Sequence, residues 1–466
     1  MVEVARANEK RVGASRAPLS RKMVNNVKAL GIRVLLVVCA AAFASVEAIA
    51  APPTKLALQG GRIIPIVGDE IAKGTILFEN GRITAIGTDV DIPYDAMVVD
   101  VSGKVVFPGM IDPHSARGLD VANESLPVTP FLDVYDSLDP SRPYFEDALR
   151  DGVTGVHVIV ANNCVIGSLS RVVHPIGLTP DEMTIEPAVA LKLSVAPKRG
   201  FDRMMQMATL RETFLELADY LERRAEEKYE ESLEKTDKKI DIGPVEAAKR
   251  GRPLLRDSDY DDKHLNLVRL NRGDLGAFVY CEKAADVGRA VRIATTNGFI
   301  HRTTFVLGSE CYKAASELKA TGRPVVLAAN LWHRERDPIS GKLRETFVPS
   351  VFAKAGIAFS LQPSPDTSLA ERYLNYQAAR CVRNGVSRGT ALESITIHPA
   401  RALGLAGRLG SLEVGKTANV VVFSGDPLEF DTWVDLVYIN GIRAYDRTTD
   451  VRLKRLFGEE TPETAE

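Results

Sequence analysis

His114 is the residue of this chain best placed to do chemistry. It stands in Pro108-Gly-Met-Ile-Asp-Pro-His-Ser-Ala116, directly after the apolar run Val105-Val-Phe107. An imidazole there could serve as a general base or hydrogen-bond a substrate. The plainer reading is a buried histidine satisfied by Asp112 or a backbone group. Other polar or reactive side chains also follow apolar runs: Tyr280, Cys281, Glu310, Cys311, Asn330, Trp332, Gln362 and Asp366. The two thiols could be nucleophiles, but no histidine adjacent in sequence activates them, so filler thiols are the simpler reading. Glu310 could orient a substrate or cap a helix start. Trp332 could stack on a ligand or pack as a lid. His333 lies in the charged stretch His-Arg-Glu-Arg-Asp and is expected to be exposed. His114, Glu310 and Asp366 are the candidate catalytic groups.

Spacing excludes several chemistries. The seven histidines form no His-x-His or His-x-x-x-His pair. There is no Walker loop and no dinucleotide fingerprint, so no cofactor-binding residues are expected. A Ser-His-acid triad is compatible with the spacing, but no Gly-x-Ser-x-Gly elbow supports one. The five cysteines show no zinc-knuckle or redox spacing. A formal net charge of −2 gives no sign of nucleic acid as a partner.

Elements that alternate between strand and helix must position these side chains. Apolar runs at 153–160, 188–195, 276–280, 304–307, 324–328 and 356–361 read as strands buried on both faces. Helical patterns at 284–296, 311–321, 346–355, 368–384 and 387–395 lie between them. Such alternation predicts a parallel sheet, and its length best fits a closed (β/α)8 barrel of TIM type over 108–408. A charged helical insertion, 203–264, interrupts it and is best read as a solvated helix outside the barrel, with a lid or partner site as the alternative. Residues 51–107 and 409–447 are strand-rich, with Asn80-Gly81 and Asn440-Gly441 as hairpin turns. Too small to stand alone, they are expected to form one small β-sandwich domain, followed by a polar tail at 448–466.

The first 50 residues carry eight Lys/Arg against three Asp/Glu. A basic start, the apolar stretch 34–44 and Ala48-Ile-Ala50 follow the order of a signal peptide. The expectation is an exported, periplasmic protein with no membrane span after cleavage.

From about Leu56 to Tyr445 the chain resembles metal-dependent amidohydrolases, in particular imidazolonepropionase-like and related exported members. Gly103-Lys-Val-Val-Phe-Pro-Gly-Met-Ile-Asp-Pro-His114 is similar to their entry into the barrel, and Asp151-Gly-Val-Thr154 is a further match. Ala391-Leu-Glu-Ser-Ile-Thr-Ile-His-Pro-Ala-Arg-Ala-Leu-Gly-Leu405, followed by Gly410-Ser-Leu-Glu-Val-Gly-Lys416, is similar to their return. The resemblance implies a site at the C-terminal mouth of the barrel. There one or two divalent ions, zinc or iron, would activate water for hydrolysis of carbon–nitrogen bonds other than peptide bonds. It also implies that Ala116, Tyr280, Leu307 and, within one or two positions, Gln362 occupy the places of metal ligands. Lys192 is a stand-in for the strand-four ligand but could equally lie on strand three. His114 is the one ligand-type residue retained, so no metal cofactor is expected. The pocket is expected to gather His114, Tyr280, Cys281, Leu307, Glu310, Asn330, Trp332 and Gln362. Two functions follow: a carbon–nitrogen hydrolase by resemblance, or a catalytically inactive barrel that binds a small molecule or partner protein in the envelope. A homo-oligomer or a partner subunit remains open.

Overall fold

The computed structural model describes residues 55–234, 242–364 and 373–458. The expected leader, Asp366 and the end of the polar tail lie outside these residues. The described chain opens with β1 (Lys55–Ile63), β2 (Ile71–Glu79), β3 (Arg82–Gly87), β4 (Met97–Asp100) and β5 (Val105–Pro108). Asn80 and Gly81 take φ values of 50° and 78°. A two-residue hairpin needs that left-handed pair if its turn is to match the strand twist.

Next come β6 (Met110–Ser115), β7 (Val153–Val158), β8 (Ile166–Leu169), β9 (Arg171–Val173), β10 (Thr184–Glu186), β11 (Ala190–Ser194), β12 (Gly276–Cys281), β13 (Thr303–Leu307), β14 (Val325–Leu327), β15 (Trp332–Arg336), β16 (Leu343–Phe347) and β17 (Phe359–Ser360). β6 pairs with β7 in parallel. β11, β12, β13, β14 and β17 run parallel in that order. All five residues of β11 and of β13 are buried, as strands covered on both faces must be.

Between these groups the chain departs from its sequence pattern. β9 pairs antiparallel with β7, and β8 pairs antiparallel with β11. Separated by Ser170 alone, they act as one bent strand in the third place, which puts Lys192 on the fourth. On the other side, Ile111 N–H donates to the carbonyl of Ile395, and Leu361 N–H to that of Ser394, each at 3.0 Å. The result is an α/β fold of mixed sheets and helices, consistent with a distorted barrel of the amidohydrolase type.

The chain ends with β18 (Val420–Phe423), β19 (Val434–Ile439) and β20 (Ile442–Asp446). β18 pairs antiparallel with β5, so both ends share one eight-stranded sheet. One face carries Phe107 and Phe423 toward the main core, with ring centroids 6.0 Å apart. The other face has its own core. There Phe78 of β2 meets Tyr438 of β19 edge-to-face at 5.9 Å. These strands are not neighbours in the sheet, so it curls to bring them together.

The insertion holds a helix over Arg203–Glu234. Its inner side buries Met207, Leu210, Phe214 and Leu217, and Phe214 stacks on Phe299 at 5.7 Å. Burial of such a ring is worth about 1.5–3 kcal/mol. Farther along, Arg224 and Lys228 pair with Glu231 and Asp259. These pairs match the mixed-sign charge read along the segment. Among the described residues no helix is long and apolar enough to cross a membrane.

Candidate functional site

β6 carries His114 to its C-terminal end, beside a cavity of about 500 Å³. Tyr280 from β12, Leu307 from β13 and Gln362 just after β17 line the same cavity. Successive parallel strands deliver their last residues to one mouth, and this brings side chains distant in sequence together. Gly308 continues the wall after Leu307. A Cβ there would lie 2.2 Å from the Glu282 carbonyl oxygen, so the close approach of the two loops requires glycine.

Beneath His114 lies an amine. Lys192 Nζ is 2.7 Å from His114 Nε2 and donates to Asn162 Oδ1 at 2.7 Å. The lysine is fully buried. Burial lowers its pKa to about 7. Burial also pushes the His114 imidazole well below its usual range, and the charge of Lys192 pushes it further the same way. His114 is therefore neutral at neutral pH, and Gln362 hydrogen-bonds it as well. Burial in the barrel wall pushes the phenol of Tyr280 up to about 12, so it stays protonated. Lys192 Nζ lies 5.8 Å from the centroid of that ring.

Asp112 forms a second layer. It is buried, accepting a hydrogen bond from Tyr144 Oη at 2.6 Å and from the His114 backbone N–H at 3.1 Å. Burial raises its pKa despite these bonds. His157 sits deeper, bonded to the Pro113 carbonyl and to Ser170 Oγ, both at 2.8 Å. Burial lowers it to about 3, so it is a neutral core residue.

The other expected pocket residues do not converge on the cavity. Cys281 is wholly buried, with its pKa raised by that burial, and its carbonyl accepts from Cys311 Sγ at 3.2 Å. Both are free thiols. Glu310 lies in the first turn of the short helix Ser309–Ala314. Asn330 Oδ1 accepts from the Trp332 N–H, and Trp332 packs on Phe347 with centroids 5.0 Å apart. His333 is not in an exposed loop. It lies on β15, paired with β16, with its side chain 13 % exposed and Nδ1 3.1 Å from Ser309 Oγ. The alternating charges of this stretch reflect a two-stranded ribbon with solvent on one face. The cavity instead includes Asn162 and Arg117, neither of which the sequence singles out.

Among the described residues the cavity offers few donors to a divalent ion. Ala116 and Leu307 offer no lone pair, and Tyr280 is a neutral phenol. His114 Nε2, the atom beside the amine, is already engaged by Lys192. Among the described residues no three His, Cys, Asp or Glu side chains stand together as an ion would need.

With this geometry in view, the comparisons place the fold. A profile of the amidohydrolase family matches residues 364–445. The crystal structure of an amidohydrolase from Thermotoga maritima MSB8 superposes with a TM-score of 0.70 at 26% identity, over 84% of this chain and 100% of that one. The chain has the amidohydrolase superfamily fold. It is also 24% identical over 427 residues to amidohydrolase tasK of Hapsidospora irregularis, covering 83% of this chain and 42% of that protein. It is 38% identical over 99 residues to an imidazolonepropionase of Pseudomonas fluorescens, covering 20% of this chain and 24% of that protein. The chain thus spans less than half the length of either curated relative.

Proposed function

We propose that the barrel mouth binds a small molecule and does so without the divalent ions that the resemblance implies. One observation carries this reading: a buried lysine amine lies 2.7 Å from Nε2 of His114, the one ligand-type residue at the mouth. Around it the wall is Ala116, Leu307, neutral Tyr280 and Gln362, which is suited to contact and hydrogen bonding rather than to holding an ion. In the same reading the strands close as a (β/α)8 barrel, and the curled terminal sheet is the small β-sandwich of the family. A second reading, residual carbon–nitrogen hydrolysis without metal, is favoured by the position of His114 at the mouth, where it is the retained candidate base.

Elemental analysis after dialysis against a mild chelator tests the first reading. The expected result is far less than one zinc or iron per chain, with amide hydrolysis unchanged by added metal. Near one ion per chain, lost with an activity in His114→Ala, would overturn it. Metal-independent hydrolysis abolished by the same substitution would establish the second reading.

We also infer export, on the basic, apolar and small-residue order of residues 1–50. N-terminal sequencing of protein from the cell envelope is expected to begin near Ala51. A chain that keeps residues 34–44 in the membrane pellet would refute cleavage.

A further inference from the structure

We propose that the mouth pocket is a site for a small organic acid, whose carboxylate is held by Arg117 and whose apolar body fills the cavity. The proposal rests on the binding reading above and names the chemistry of the ligand. Arg117 lines the cavity two residues beyond Ser115, and its backbone N–H donates to Ser115 Oγ at 3.4 Å. Its guanidinium lies over the ring of Tyr144, 4.4 Å from the centroid. Among the described residues no carboxylate stands within ion-pair distance of it. The acid of the lining is Asp112, which is fully buried and bonded to Tyr144 and to the backbone of His114.

The stacked ring matters because Tyr144 is itself fixed. Its hydroxyl is anchored on Asp112 at 2.6 Å, and its ring also packs against Phe145 at 5.4 Å. The ring thus offers the guanidinium a fixed surface beside the cavity, and among the described residues no ion pair engages it. A planar fork of donors matches a carboxylate with two parallel hydrogen bonds, and holding it in place in advance reduces the entropy lost on binding. The rest of the wall is mainly apolar, with Leu119, Leu307, Ala328 and Pro363. A partly buried guanidinium against such a wall can pair with an anionic group while the rest of the ligand contacts apolar side chains.

The charge balance points to a monoanion. A dianionic phosphate would want a second cation, and the nearest, Lys192, has its amine turned to His114 and Asn162. Tyr280 also lines the cavity, a protonated phenol able to donate to a carbonyl elsewhere in the acid.

Calorimetric titration of the full mature chain with 4-phenylbutyrate and with 4-phenylbutyramide tests the proposal. The two probes share shape and differ in charge. The acid is expected to bind at least tenfold more tightly than the amide at neutral pH and low salt. Arg117→Gln is expected to abolish that preference, and Arg117→Lys to keep only part of it, since an ammonium lacks the fork. Equal binding of acid and amide to the unmodified protein would overturn the carboxylate assignment while leaving the pocket reading intact. Binding of neither at millimolar concentration would overturn both. A preference that survives in folded Arg117→Gln would remove Arg117 from the proposal. The comparison of the two probes needs no variant, so it stands even where a substitution disturbs folding.

Discussion

Lys192→Met is expected to lose a pH dependence of stability that the unmodified protein shows between about pH 7 and pH 10. Burial lowers the amine to about 7 in the fold, against 10.5 for an ordinary lysine. Between those values the unfolded chain holds a proton that the folded chain does not. Stability therefore rises with pH across this window and is flat, with the burial penalty fully present, below about pH 7. A tenfold change in proton affinity is worth about 1.4 kcal/mol, so the whole window amounts to a free energy on the order of 4–5 kcal/mol. Methionine fills similar space and does not titrate. It also leaves His114 Nε2 and Asn162 Oδ1 without their partner, a cost of about 1–3 kcal/mol that does not vary with pH. Urea unfolding of both proteins at several values from pH 6 to pH 10 isolates the group. The advantage of lysine over methionine should grow with pH. A constant difference would show that the buried amine does not titrate as described.

The second large effect is expected from Asp286. This carboxylate is fully buried, and its two oxygens do different work. Oδ1 accepts from Arg203 at the start of the long inserted helix, and Oδ2 accepts from the Lys283 backbone N–H at 3.0 Å. One side chain thus caps the helix Ala284–Thr296 and ties the insertion to the barrel. Asp286→Ala should cost roughly 3–5 kcal/mol, because Arg203 is left without its nearest buried anion and the helix loses its cap. Asp286→Asn keeps an acceptor for the cap and should cost less. Chemical denaturation measures both. A loss below about 1 kcal/mol in the alanine variant would mean that Arg203 finds an equivalent partner, with Glu282 the neighbour to inspect.

What can be read from the chain alone follows from how local each signal is. The Asn80-Gly81 and Asn440-Gly441 turns are legible because left-handed backbone needs those residues. β11, β12 and β13 are legible because strands covered on both faces are apolar runs. β8 and β9 are not: they are four and three residues long, and Ile166-Gly-Ser-Leu169 has no strong strand signature. The β15–β16 ribbon is hidden because its charges resemble those of a loop.

In the site, His114, Tyr280, Leu307 and Gln362 can be named because each ends a strand or a motif. Lys192 carries a usable signal, a lone lysine inside Ala-Leu-Lys-Leu-Ser, but its contact with His114 depends on strand order. Arg117 gives no such sign, since its stacking on Tyr144 joins a loop to a helix well removed in sequence. Asn162 is hidden in the same way, after β7 and outside any motif.

β5 sits in the terminal sheet between β1 on one side and β18 on the other. Val105 to Pro108 therefore wait for Val420 to Phe423, which are made much later. Pairing across so long a separation is slow, because the intervening chain must be ordered before its ends can meet. A chain that stops short of Val420 would leave β5 with a row of unpaired backbone N–H and C=O groups, and that edge is a template for another chain. An interrupted synthesis product is then a seed for aggregation rather than a smaller working protein.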